Sequence, residues 1–498
     1  MRDFRITVGE LATAAGAEVL RGDPDTLVLS FDIDSRTIQP GALFFALRGA
    51  RADGHDFVAA AEERGASGAV VRSGFEPPTG LPAHFCLIAA GDVQHAMEEM
   101  ASHIRRKSAV VLVGITGSVG KTTAKEILAH VICERFSTLH SKANWNTEIG
   151  VPLTLSRITG ETEVVVQEMA MRGRGQIARL SEIARPDHAV ITNARSVHIE
   201  LLGTKDEILK AKLEITKGLG ADGSLWLNRD EAAWTWLDDV SAREAAHKRI
   251  GFSGEVRTFG MDERADVSAT GAELLGLSGS EFKLNFPDET ALVRFPLLGN
   301  GAIASAISVA GVAWKLGLSA RDVADRLETL KHTPGRLNPV ERPFGTVIDD
   351  AYNAGPDSVL NAIGLLRSVQ VTDNRPVIAV IGDMLELGAQ AEIEHHRIGR
   401  SLSALEPYRA IVAGDYAATI EQGTGDHEPW LVPVPTHNRG RYDEAFIARV
   451  LAETRRAIKS CPEPPVVLVK ASRSVGLDRV VAELVNRDVI PAGRCGNG

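Results

Sequence analysis

The chain has 498 residues, 44% of them hydrophobic, with a formal net charge of −10 and four cysteines. At about 150 residues per domain this length predicts three domains, and the acidic balance argues against nucleic-acid binding. The cysteines lack C-x-x-C spacing, which speaks against a zinc site or a disulfide framework; neither a signal-peptide core nor an apolar run of membrane-spanning length is seen, so a cytoplasmic protein without membrane insertion is expected.

Residues 1–107 read as a first, small α/β unit, with a helix near 8–15, strand-like runs at 42–47 and 68–71, and a Pro/Gly-rich loop over 74–82. From 108 to 338, apolar runs at 109–113, 164–166 and 189–192 are each followed by helical spacing, the pattern of a mostly parallel sheet with crossover helices. The first run feeds Gly114-Ile-Thr-Gly-Ser-Val-Gly-Lys-Thr-Thr123, and helical spacing resumes at Ile127, Leu128, Val131 and Ile132. Strand, glycine turn and helix in that order make a phosphate loop, in which Gly117, Ser118, Val119, Gly120 and Thr123 line the polyphosphate. Lys121 reaches the terminal phosphates and the Thr122 hydroxyl is a ligand for Mg²⁺. The common spacing G-x-x-x-x-G-K-[ST] puts glycine where this chain has Ile115, so the loop departs from it by one position.

Asn144-Trp-Asn-Thr-Glu-Ile-Gly150 is polar and glycine-terminated, with the character of a binding loop. The apolar run ending at Glu168 places a carboxylate where a phosphate-loop protein holds an acidic Mg²⁺ partner; the competing reading is a solvated strand end. His198 lies in the loop after the next strand, at the C-terminal edge of the same sheet. Lys210 and Lys212 fall in a helical stretch, where composition favours a solvent-facing charged stripe. The apolar segment 301–314 reads as a buried helix. Arg336, in the loop entering the third region, is placed where a hinge would deliver it to a transferring phosphoryl group. That region, 339–498, repeats the strand–helix alternation, with strands at 346–349, 377–381, 410–413 and 466–469. It has no G-x-G-x-x-G at a strand end, so no dinucleotide site is expected. Asp349-Asp-Ala-Tyr-Asn-Ala-Gly-Pro356 delivers two carboxylates into a turn, readable as an Asx turn, a binding loop or both.

Together these motifs resemble the Mur ligase family, ATP-dependent amide-bond ligases of peptidoglycan precursor synthesis. The shifted loop G-x-x-G-x-x-G-K-T is that family's, and N-x-N-x-E-I-G, the strand-end Glu-Met, Asn193…His198 and Lys212 follow in family order. The resemblance implies an α/β chain of three domains: a smaller N-terminal uridine-nucleotide domain (1–107), a central ATP-binding phosphate-loop domain (108–338) and a C-terminal Rossmann-like domain (339–498). Within the family, Ile381-Gly-Asp-Met-Leu-Glu-Leu-Gly388 and Asp350-Ala-Tyr-Asn353 are similar to the members that join D-alanyl-D-alanine to UDP-N-acetylmuramoyl-tripeptide. The alternatives are a sibling that adds the third amino acid and an inactive ligase-fold scaffold.

The resemblance further implies ATP and two Mg²⁺ ions as cofactors and a monomeric protein. Lys121 and Thr122 bind the ATP phosphates and the first Mg²⁺; Glu168 and His198 hold the second, joined by Lys212 if it is carbamylated. Asp350 is carried over as the ribose contact and Arg336 as the γ-phosphate arginine. Ser35 and Arg36 fall on the uridine diphosphate side, and Asn144, Asn146 and Thr147 on the muramyl-nucleotide side. Gly299-Asn-Gly-Ala-Ile-Ala-Ser305 departs from the family's G-x-H-N-x-x-N adenine helix, having lost the histidine and both asparagines.

Overall fold

A computed structural model describes residues 4–50, 52–142, 144–194, 205–231, 250–425 and 428–486. The chain divides into two compact units, the first formed by residues 1–117, 121–194 and 209–258, the second by 118–120, 195–208 and 259–498.

The first unit holds two sheets. The N-terminal one comprises β1 (Glu18–Arg21), β2 (Ser30–Asp32), β3 (Ala42–Phe45), β4 (Gly68–Arg72) and β5 (Cys86–Ala90), in the order β1-β5-β4-β3-β2. Only β1 runs antiparallel to its neighbour. Phe31, Phe44, Phe45 and Phe85 are fully buried, which gives this small unit a core despite its short strands. The second sheet contains β6 (Val111–Thr116), β7 (Thr138–His140), β8 (Val164–Glu168), β9 (His188–Ile191) and β10 (Ser224–Asn228). All five are parallel, in the order β7-β8-β6-β9-β10. Parallel strands covered by helices on both faces are continuous apolar runs, as in Val164-Val-Val166 and Ala189-Val-Ile191.

Specific polar contacts join the two sheets. Ser156 Oγ accepts from the Phe31 N–H at 2.9 Å. The Arg105 guanidinium, at the end of helix Val93–Lys107, donates to Ala184 O, Arg185 O and Asp187 at 2.9, 2.9 and 2.8 Å. Arg185 ends helix Gln176–Ala184 in a left-handed conformation, so these bonds satisfy carbonyls that the helix leaves open.

In the second unit, β12 (Val267–Leu274), β13 (Ser280–Asn285) and β14 (Thr290–Phe295) form an antiparallel meander, with the end of β11 (Glu255–Gly260) parallel to β12. Strand–helix alternation in the sequence did not predict this meander. The helix expected at 301–314 is Asn300–Lys315, and nearly all its apolar side chains are buried. The remaining sheet runs β15-β16-β20-β17-β18-β19: β15 (Asn338–Arg342), β16 (Gly345–Asp350), β17 (Val377–Gly382), β18 (Arg409–Ala413), β19 (Leu431–Val434) and β20 (Val466–Lys470). All are parallel except β15. Helices Pro356–Thr372, Ala391–Leu405 and Ala417–Thr424 share one core with this sheet, while Glu444–Ser460 and Asp478–Asn486 cover the other face. The neighbours β16 and β20 thus lead to helices on opposite faces, a topological switch that leaves a crevice at their C-terminal ends.

Candidate active site

Ile115 is buried inside β6, so the slot where the common phosphate loop has its first glycine is here a strand residue. The turn begins at Gly117 instead, with φ +149°, and a Cβ there would lie 2.0 Å from Thr192 Oγ1 at the end of the neighbouring strand. Conformation and space both demand glycine. Gly120 has φ +83°, and helix Lys121–Ile132 starts directly after it. Lys121 Nζ donates to Gly117 O at 2.8 Å, so the lysine lies back over the loop that would hold phosphate.

The Thr122 hydroxyl donates to Glu168 Oε2 at 2.8 Å, and the Asn146 amide donates to Glu168 Oε1 at 2.9 Å. Glu168 is buried, which decides against a solvated strand end. The family resemblance assigns Asn146 to the muramyl-nucleotide side; in the structure its amide reaches the carboxylate. Lys212, in helix Lys205–Leu213, is only 2% exposed, whereas Lys210 two residues earlier faces solvent. The charged-stripe reading therefore fails at Lys212. Burial pushes its amine well below the ordinary lysine range; the Lys121 ammonium adds to the shift and Glu214 opposes it. His198 lies outside the described residues.

Among the described residues no group of three or more His, Cys, Asp or Glu side chains is gathered as a metal cage. A hydroxyl and a carboxylate in contact beside a phosphate loop nevertheless suit Mg²⁺, which takes one or two protein oxygens and completes its shell with phosphate and water.

Behind this group stand residues that sequence reasoning missed. Lys125 is wholly buried and donates to Ser141 O at 2.6 Å, while Ser141 Oγ accepts from the Glu168 N–H at 3.2 Å. Gln167 Nε2 donates to Trp145 O at 2.8 Å, and the Ala170 N–H to Asn146 O at 2.9 Å, fixing the 144–147 loop against β8. The available signal was the position of Lys125, one helical turn after Lys121. Thr147 Oγ1 accepts from the Gly150 N–H at 3.4 Å, and Asn144 is exposed on the same loop. In the N-terminal sheet, Ser35 is buried while the Arg36 side chain is 84% exposed and forks onto Asp34 at 2.9 and 2.7 Å. That pairing holds the Asp34 carboxyl down at about 2.

At the switch crevice of the C-terminal sheet, Lys470 Nζ lies 2.6 Å from Asp350 Oδ2 and donates to Asn353 O at 3.0 Å. Asp350 Oδ1 accepts from the Leu337 N–H at 3.2 Å, and Asp349 Oδ2 from the Gly335 N–H at 2.8 Å, tying the 333–337 loop to the end of β16. Burial pushes the Asp350 carboxyl up, against the pull of Lys470. The Arg336 guanidinium lies 4.3 Å from the Tyr352 ring centroid and that of Arg473 5.2 Å from it. Asp349 Oδ1 also accepts from the Ala351 N–H, so the Asx turn is present.

A phosphate loop feeding a helix, a buried carboxylate on the adjacent strand and a second, doubly wound sheet define a phosphate-loop α/β protein. The Mur ligase family catalytic domain matches residues 30–104, the Mur ligase middle domain 115–313 and the Mur ligase glutamate ligase domain 335–473. The chain belongs to the Mur ligase family. It is 32% identical over 528 residues to the UDP-N-acetylmuramoyl-tripeptide--D-alanyl-D-alanine ligase of Mycobacterium tuberculosis, covering 97% of this chain and 98% of the relative. The Escherichia coli enzyme of the same name is 30% identical over 475 residues, 94% and 96% of the two chains. Among solved structures, MurF from Acinetobacter baumannii superposes with a TM-score of 0.83 at 28% identity, covering 97% and 99%. The MurF ligase of Thermotoga maritima in complex with ADP gives 0.74 at 25% identity, covering 92% and 97%. The described strands, the meander counted with the phosphate-loop sheet, form three sheets, as in a three-domain Mur ligase fold.

Proposed function

We propose that this chain joins D-alanyl-D-alanine to UDP-N-acetylmuramoyl-tripeptide, converting ATP to ADP and phosphate. Relatives carrying that activity in their names, matched along nearly their whole length, support the choice of substrates. The observation that carries the chemistry is the Thr122–Glu168 contact beside the phosphate loop, with the buried amine of Lys212 in the same electrostatic environment.

In the first step, an oxygen of the tripeptide's terminal carboxylate attacks the γ-phosphorus of ATP. The bond to the ADP oxygen breaks, and an acyl phosphate forms. The loop N–H groups of 117–123 and Lys121 hold the phosphates and offset their charge. In the second step the D-alanyl-D-alanine amine attacks the acyl carbon and expels phosphate, losing a proton as the amide forms. Thr122 would hold one Mg²⁺, and Glu168 with His198 a second. Bound there, the ions supply charge neutralisation at the transferring phosphoryl group. Burial disfavours the charged form of the Lys212 amine, and a neutral amine is competent to add CO₂, giving a carbamate and a proton; Lys212 modified in this way would be a carboxylate ligand for the second ion. Arg336 is assigned to the γ-phosphate and Asp350 to the ribose. Ser35, Arg36, Asn144, Asn146 and Thr147 are assigned to the muramyl nucleotide. Domains at 1–107, 108–338 and 339–498, acting as a cytoplasmic monomer, complete the reading.

Phosphate release tests it. Release from ATP should require both UDP-N-acetylmuramoyl-tripeptide and D-alanyl-D-alanine; release without either one overturns the assignment. Release with the dipeptide precursor plus free diaminopimelate or lysine would instead identify the sibling that adds the third residue. Lys212→Ala should abolish turnover while ADP still binds, and turnover unchanged by it removes the carbamate from the mechanism.

A further inference from the structure

Trp145, between the two asparagines of the 144–147 loop, carries two cations on one indole. The Arg157 guanidinium lies 4.5 Å from its ring centroid and the Lys142 ammonium 5.8 Å from it. Stacking on an indole supports a guanidinium electrostatically but satisfies none of its N–H donors. Among the described residues the Arg157 side chain makes no hydrogen bond, and its Nε is buried without a partner. Burial works against its charge, and Asp32 is the acid that supports it. The Asp32 carboxylate is itself engaged by the Ile33 and Asp34 N–H groups at 2.8 and 3.0 Å. A half-buried planar fork is therefore held in place with its donors unspent, in a chain of net charge −10. An unsatisfied buried donor of this kind is a cost that a ligand oxygen would remove.

The position says which ligand. On one side, the bond between Ser156 Oγ and the Phe31 N–H pins Arg157 next to the end of β2, from which the chain runs into Asp34-Ser35-Arg36. On the other, Trp145 precedes Asn146, whose amide is on Glu168. Arg157 thus stands between the residues assigned to the nucleotide end of the muramyl substrate and the carboxylate at the phosphate loop. We propose that Arg157, stacked on Trp145, is a binding residue for an anionic oxygen group of that substrate, either its diphosphate or a peptide carboxylate. This inference rests on the functional reading above.

Calorimetric titration of the full-length protein tests it, with UDP-N-acetylmuramoyl-tripeptide, UDP and ADP as probes on the wild type, Arg157→Gln and Arg157→Lys. Arg157→Gln should weaken the tripeptide nucleotide at least tenfold and leave ADP binding unchanged, and Arg157→Lys should recover part of the loss. Equal weakening of UDP identifies the diphosphate as the partner; UDP unaffected identifies a peptide carboxylate. Either result supports the proposal. It is overturned if Arg157→Gln binds the tripeptide nucleotide as tightly as the wild type, or if ADP weakens in parallel, which would mean that Arg157 only maintains the fold. A wild type that does not bind the tripeptide nucleotide overturns the functional reading as well, so the two failures are distinguishable.

Discussion

His395 has both ring nitrogens committed to its neutral form: Nε2 accepts from the Met384 N–H at 3.0 Å and Nδ1 donates to Ala391 O at 2.6 Å. Its ring stacks on Tyr416, and the Asp383 carboxylate lies 4.0 Å away, itself bonded by the Tyr442 hydroxyl and the Asp415 and Tyr416 N–H groups. Burial outweighs the hydrogen bond to Ala391 O and pulls the imidazole down to about 4 from an ordinary 6.5. Between those values the unfolded chain binds a proton that the folded one does not. Stability is therefore complete above about 6.5 and falls as the pH drops toward 4, by roughly 3 kcal/mol from this group. Thermal unfolding of the wild type should lose stability across that window faster than His395→Gln, and parallel pH profiles would refute the assignment. None of this was visible in the sequence, because a histidine's partners lie on other turns and strands. The phosphate loop was legible, since all its determinants are within ten residues. Glu168 could be placed but not its partner Asn146, 22 residues away in the chain. Lys212 was legible only through family resemblance, since spacing alone cannot distinguish it from exposed Lys210.

At the level of elements, helices Ala391–Leu405 and Ala417–Thr424 meet through two glycines. A Cβ on Gly399 would fall 2.0 Å from Ile420 O, and one on Gly423 2.1 Å from His396 O. Gly399→Ala gains up to about 1 kcal/mol in helix propensity but forces backbone apart, at a cost of roughly 1–3 kcal/mol or more. Its unfolding midpoint should fall. Gly364, exposed in helix Pro356–Thr372 with open space for 4 Å around the place a Cβ would take, is the control. Gly364→Ala should raise the midpoint, and the same sign of change in both variants would contradict the packing argument. The parallel strands were readable because burial on both faces leaves unbroken apolar runs. The β12–β14 meander was not. In β14 the buried residues are Ala291, Val293 and Phe295, yet Leu292 between them faces solvent, so Ala-Leu-Val hides the alternation that marks a half-buried strand.

Across the whole molecule, the N-terminal sheet and the phosphate-loop sheet hold together as one compact unit, although their sequences look like separate domains. Composition could not reveal this, since the polar contacts that join them pair residues far apart in the chain: Ser156 with Phe31, Glu98 with Arg179, and Arg105 with the end of helix Gln176–Ala184. Arg105→Met removes three bonds and leaves the buried Ala184 carbonyl open, so the unit should lose about 3 kcal/mol. A thermal midpoint unchanged by Arg105→Met would show the contact to be incidental. The direction of this dependence matters when the protein is made. Arg105 leaves the ribosome 79 residues ahead of Ala184, about ten seconds at ordinary rates of synthesis. The group that completes the helix end has thus already been synthesised when that helix emerges, so the helix end has its partner available from the moment it forms.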